Sequence, residues 1–183
     1  MQYVPTYVYV LLCVLVYVGI RRCYPRTIRV ERTIVFPLAF VLLGASSVNR
    51  LFPGAGWPDY ALALFTLAAG IVLGWLHASR WRLGFEPIAT VDDSGVRRRG
   101  MRVRLPGDPS LLVTLLLMFA LEGFLHYAVE TRQPWAASEQ FVSLAFAAWG
   151  MLAGMPLGRA LNVLVRSIRA AGERSSHPAT SFE

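Results

Sequence analysis

The chain has 183 residues, 55% of them hydrophobic and 16% charged, with a formal net charge of +7 and a mean hydropathy of +0.48. That apolar content excludes a disordered chain, and the shortage of charge argues against an ordinary soluble domain, which carries about 25% charged residues. The apolar residues fall in blocks and the charges in the gaps between them, the pattern of an all-α, polytopic membrane protein.

In chain order, five blocks are long and apolar enough to be membrane helices, for which about 20 residues suffice and about 17 are tolerated. Residues 4–20 have no basic side chain ahead of them and carry Arg21 and Arg22 behind them. That is the reverse of a cleavable signal peptide, so a retained first helix with an outward N-terminus is expected. Residues 33–48 form the second and shortest span, about 24 Å long, which must begin nearer Arg29 or thin the bilayer around it. Pro37 falls within its first turn. Residues 60–77 form the third span. In the loop 78–109, short strands at 88–91 and 101–105 flank the turn Asp93-Ser94-Gly95 and predict a short cytoplasmic β-hairpin. Spans four and five cover residues 110–129 and 141–157, with Pro156 placed to kink the fifth. Residues 159–170 predict an amphipathic extension on the membrane surface, with Leu161, Leu164, Val165 and Ile168 opposite Arg159, Asn162, Arg166 and Arg169. Residues 1–170 thus make a single transmembrane domain, and 171–183 read as a disordered tail.

Every basic residue other than histidine is arginine, and sixteen of the eighteen lie between spans one and two, between spans three and four, or after span five. Only Arg50 and Arg132 lie on the other side. The positive-inside rule places the rich side in the cytoplasm and the N-terminus in the periplasm. The same arginines account for the positive charge without nucleic acid, because anionic lipid headgroups neutralise them, with Arg21, Arg22, Arg97, Arg98 and Arg99 best placed for that contact. If Cys13 and Cys23 share one helix, they lie about 15 Å from each other, too far for a disulfide.

Two features inside the spans carry chemistry. Gly150, Gly154 and Gly158 repeat at four-residue spacing, as do Thr66, Gly70, Gly74 and Ala78, and small residues so spaced let helix backbones approach closely. The stripes serve either dimerisation or a hinge, or the packing of spans three and five within one chain, and the last is the preferred reading. Glu122 and His126 share one face of span four, about 18 and 24 Å from its cytoplasmic start. An ionisable residue at that depth is a functional candidate, as a proton relay or cation site; the alternative is a structural polar clamp. One Glu and one His fall short of the three protein ligands that a zinc site needs, so neither metal nor cofactor is expected. The run Gly70 to Gly74 recurs as Gly150 to Gly154, and Ile28-Arg29-Val30 is echoed by Met101-Arg102-Val103. Spans 2–3 and 4–5 could thus be a duplicated helical hairpin.

The outward first helix, Tyr24-Pro25-Arg26-Thr27-Ile28, a second span opening on Pro37-Leu38 and the glycine-striped third and fifth spans together resemble a family of small uncharacterised bacterial inner-membrane proteins. That family is distantly similar to the CcdC-like proteins, which are named for association with cytochrome c biogenesis. The resemblance implies a bacterial inner-membrane source and the same topology, and it carries over no catalytic residues. The function expected is that of a non-enzymatic accessory or interaction subunit, with another membrane protein or a second copy as partner. The alternative is a small proton-linked transporter using Glu122. Reporter fusions after residues 26, 95 and 175 should report cytoplasm and fusions after 55 and 134 periplasm; a periplasmic signal at 95 would overturn the five-span topology.

Overall fold

The computed structural model describes residues 6–29, 31–91 and 97–176. Along them run α1 (Thr6–Arg22), β1 (Arg26–Arg29), α2 (Glu31–Leu51), α3 (Trp57–Ser79), β2 (Gly84–Val91), β3 (Arg97–Leu105), α4 (Pro109–Glu130), a 3₁₀ turn (Pro134–Ala137) and α5 (Glu139–Ser176). Four helices, α2 to α5, are long and apolar enough to cross a membrane. The first of the five expected spans is the exception: α1 has 17 described residues, about 25 Å of helix, and leans on α4. The second span outgrows its apolar block. α2 has 21 residues, about 31 Å, and needs no thinning of a bilayer.

Local chemistry sets the helix starts. Asp59 Oδ2 accepts the Gly56 N–H at 2.9 Å with Pro58 in the first turn of α3, and Asp108 Oδ1 accepts the Ser110 N–H at 3.0 Å with Pro109 opening α4. Ser138 Oγ accepts the Phe141 N–H at 3.3 Å and caps α5. Because α2 begins at Glu31, Pro37 sits in its second turn rather than its first, where it leaves the Thr33 carbonyl without its helical donor. α5 remains helical through Pro156.

The two stripes of small residues meet each other. A Cβ on Gly150 would lie 2.4 Å from the Ala63 carbonyl oxygen, one on Gly154 2.3 Å from that of Leu67, and one on Gly158 2.0 Å from that of Ile71. From the other side, a Cβ on Gly70 or Gly74 would meet the Met151 or Met155 carbonyl oxygen at 2.3 or 2.1 Å. Residue numbers rise together along both helices, so α3 and α5 run parallel with backbone against backbone. Gly70 faces Gly154 rather than Gly150, its counterpart in the sequence echo, so the seam is one helical turn out of register with that echo. Around the seam, Val48, Phe52, Met118, Leu125, Phe146 and Trp149 join α2, α4 and α5 into the main core.

Past Pro156, α5 departs from the sequence-based expectation only in part: Arg169 is exposed as expected and Leu164 packs against the cluster of Val103, Leu105 and Val163. Arg159, Asn162 and Ser167 are buried at 7%, 2% and 3% exposure, whereas Ile168 is 62% exposed. Arg159 and Asn162 are drawn inward because they complete contacts with other elements. Asn162 Nδ2 donates to the Trp75 carbonyl at 3.4 Å, and Arg166 donates to the carbonyls of Ala78 and of Trp81, just past α3, at 3.5 and 3.0 Å, placing a positive charge at the C-terminal end of α3. The helix also continues through Ser176, into the stretch expected to be disordered, and residues 177–183 lie outside those described.

In place of a two-stranded hairpin there is a three-stranded antiparallel sheet in the order β1-β3-β2. A two-stranded ribbon is marginal in water, and β1 supplies the third strand. The two echoed segments are neighbours within this sheet, Ile28 opposite Val103 and Arg29 opposite Arg102. Val103 and Leu105 turn inward onto Val163 of α5, while Arg102 and Arg104 alternate outward. The connection carrying Asp93-Ser94-Gly95 lies outside the described residues.

Because the seam is built of backbone, Gly154→Leu must push the helices apart. It should cost about 3 kcal/mol or more and lower the melting temperature in detergent by roughly 6–12 °C. Gly123→Leu is the matched control, since a Cβ at Gly123 meets nothing within 4 Å. Equal losses from the two variants would show that the seam is not a close contact.

Candidate functional site

Two groups of polar side chains stand out. The first is Glu122 with His126 on α4. Ser47 Oγ of α2 donates to Glu122 Oε2 at 2.9 Å, His126 Nδ1 donates to the Glu122 carbonyl oxygen at 2.9 Å, and Nδ1 is 3.8 Å from Oε2. The carboxylate thus ties α4 to α2. Among the described residues no third histidine, cysteine, aspartate or glutamate joins them in a cluster able to hold a metal ion. Ser47 was not singled out in the sequence, where it is one of two adjacent serines near the end of a span.

The second group lies at the end of the bundle that carries the sheet. Pro106-Gly107-Asp108 leads from β3 into α4 and is held against the end of α1, where the Asp108 N–H donates to the Arg22 carbonyl at 3.3 Å. Gly107 allows this approach, since a Cβ there would lie 1.9 Å from the Cys23 carbonyl oxygen. Asp108 is thereby fixed as a hub. Its Oδ1 accepts from the Ser110 amide and hydroxyl at 3.0 and 2.6 Å, and its Oδ2 from Arg159 at 3.2 Å. His77 Nε2 lies 3.3 Å from Ser110 Oγ and 3.7 Å from Asp108 Oδ1. Ser110 leans directly on the aspartate, not through the histidine, so this is a helix cap with a neighbouring imidazole and not the relay of a nucleophilic serine.

Arg159 also reaches Thr114 Oγ1 at 3.5 Å, while its buried Nε has no partner. It forms part of the wall of a cavity of about 60 Å³, with Arg22, Arg26, Thr33, Phe36, Pro37 and Pro156. Thr33 Oγ1 is likewise buried without a partner. A larger open cavity of about 690 Å³ shares Arg22, Arg26, Thr33 and Leu105 and adds Arg102. The Arg22 guanidinium lies 4.2 Å over the Phe36 ring, and burial together with the neighbouring charge of Arg26 lowers its pKa to about 10. Burial lowers that of Arg26 as well. A third cavity, of about 530 Å³ at the opposite end, has Asp59, Arg132 and Glu139 on its wall. Neither Glu122 nor His126 is part of the wall of any of the three.

Of the arginines expected at lipid headgroups, Arg21 is exposed beside Tyr17, at 5.7 Å, and Arg22 is turned into the cleft. Arg97, Arg98 and Arg99 lie in β3, with side chains outside the described residues. The cleft itself was not foreseen. Its members are spread from residue 22 to residue 163, and the local signals were Pro37 four residues after Thr33 and Pro156 three before Arg159, two helix-interior prolines beside polar side chains. No family model, curated protein or solved structure matches the chain.

Glu122→Ala removes the acceptor and leaves Ser47 unpaired, and should cost about 1–3 kcal/mol, whereas Glu122→Gln keeps an acceptor and should cost less. Combined with Ser47→Ala in a double-mutant cycle measured by unfolding in mixed micelles, Glu122→Ala should show a coupling of at least about 0.5 kcal/mol. Strict additivity would place the two side chains out of contact.

Proposed function

We propose that this chain is a non-enzymatic integral protein of a bacterial inner membrane, an accessory or interaction subunit whose working surface is the arginine-rich sheet end. In this reading α1 is a fifth span, the sheet end lies in the cytoplasm and the N-terminus in the periplasm. The resemblance to the family akin to CcdC-like proteins belongs to the same proposal. Support for the orientation comes from Arg50 and Arg132, which stand at the ends of α2 and α4 remote from the sheet, while Arg22, Arg26, Arg102, Arg104, Arg159 and Arg166 gather around it. The partners proposed are anionic headgroups and either another membrane protein or a second copy of the chain.

The observation that carries this reading over a proton-linked carrier is the placement of Glu122. Its carboxylate accepts a hydrogen bond from Ser47 of the neighbouring helix and lies 3.8 Å from His126 on its own, so it is engaged in joining α4 to α2. A carrier needs its titrating group to meet water from alternating sides, whereas a clamp needs it to hold two helices. Proteoliposomes containing a pH-sensitive dye should therefore equilibrate an imposed proton gradient no faster than protein-free vesicles, in the wild type and in Glu122→Gln alike. Proton uptake that depends on Glu122 would overturn the clamp and establish the carrier.

A further inference from the structure

The sheet-end cleft is more than a basic surface. Four of the charged residues on its two adjoining walls are arginines, and its one acidic residue among those described, Asp108, is already engaged by Arg159 and by the cap of α4. Arg159, more than nine-tenths buried, forms part of the wall and its Nε is unpaired, and Thr33, on the same wall, has its Oγ1 buried and unpaired. Guanidinium groups brought together without matching carboxylates repel one another, and unpaired buried donors are costly. Both penalties vanish when an anion with several acceptor oxygens enters. A phosphate group is such an anion, and the planar guanidinium fork matches its oxygens in pairs.

We propose that this cleft binds a phosphate monoester, with Arg22, Arg26, Arg159 and the Thr33 hydroxyl as its donors. The surplus of positive charge on the wall favours a dianion over the single charge of a diester. Phe36, Pro37, Leu111 and Pro156 line the smaller cavity beside these donors, so one side of the bound group is apolar. That combination suits the headgroup and first methylenes of a monoester lipid, and a soluble phosphomonoester presents the same dianion without the apolar part. The larger cavity, about 690 Å³, is of the size that holds small ligands.

This inference rests on the sheet end being the working surface, but it is tested in detergent micelles, where neither orientation nor proton flux enters, so each can fail without the other. The purified chain in a nonionic detergent is titrated with dioctanoyl phosphatidic acid, dioctanoyl phosphatidylglycerol, glycerol 3-phosphate and inorganic phosphate, and read by calorimetry and by melting temperature. The phosphatidic acid should bind and raise the melting temperature, with the diester phosphatidylglycerol weaker by about tenfold or more. Affinity for glycerol 3-phosphate or inorganic phosphate equal to that for the lipid would assign the site to soluble phosphomonoesters; affinity for the lipid alone would assign it to a headgroup. Arg22→Gln combined with Arg26→Gln should weaken binding by at least about tenfold, and Thr33→Val, which removes one hydroxyl and leaves the charges in place, by roughly threefold to tenfold. Arg50→Gln, at the far end of α2, should bind as the wild type does. Equal affinity for the monoester and diester lipids, binding undiminished in both cleft variants, or no binding of any of the four probes would overturn the proposal.

Discussion

The contact on which the rest of the structure depends is the backbone seam between α3 and α5. In a membrane, apolar side chains gain little by meeting each other, because lipid is as apolar as they are, and association rests on close packing and on polar contacts. Here the packing is carried to its limit, with carbonyl oxygens of α3 occupying the space that side chains at Gly150, Gly154 and Gly158 would take. Two parallel helices locked at that distance hold their ends in fixed relation. Asp59 of α3 meets Ser143 of α5 at 2.5 Å at one end, and Asn162 and Arg166 of α5 meet the Trp75 and Ala78 carbonyls of α3 at the other.

From that fixed end follows the polar architecture. With α5 parallel to α3 and continuing beyond it, the face of α5 that met the glycines becomes the face carrying Asn162 and Arg166, and Arg159 is brought to Asp108 at the start of α4. The β1-β3-β2 sheet closes over the same stretch through Val103, Leu105 and Val163. Arg22 and Arg26 at the end of α1 and the start of β1 complete the enclosure. Glu122 plays a different part, at mid-height between α2 and α4, where one carboxylate replaces the close packing that those helices lack.

Much of this was legible in the sequence. The apolar blocks placed α2 to α5 to within a few residues except at the far end of α5, because a helix in lipid must be apolar over most of its length. The four-residue spacing of the glycines identified the faces that meet. Glu122 with His126 was visible as a polar pair on an apolar helix. The strand β1 was not: four residues, Arg26–Arg29, between two helices show no alternation long enough to read, and their pairing partners lie more than seventy residues away.

The instructive difference is the stretch beyond Pro156. Periodicity correctly separates Arg159, Asn162 and Arg166 from Leu161, Leu164 and Ile168, but it says only that they occupy opposite faces. Which side chains turn inward is decided by what waits there: the carboxylate of Asp108 and the Trp75 carbonyl engage Arg159 and Asn162, at 7% and 2% exposure, while Arg169 and Ile168 stay outside and Leu164 packs with Val103 and Leu105. The sequence by itself determined the membrane class, the extent of the long helices and the faces that could approach closely, since each depends on local composition and helical period. Only the tertiary structure decided that the stripes meet each other, that an arginine is buried and that three distant segments enclose a basic cleft, because those outcomes depend on packing surfaces and hydrogen-bonding groups contributed from elsewhere in the chain.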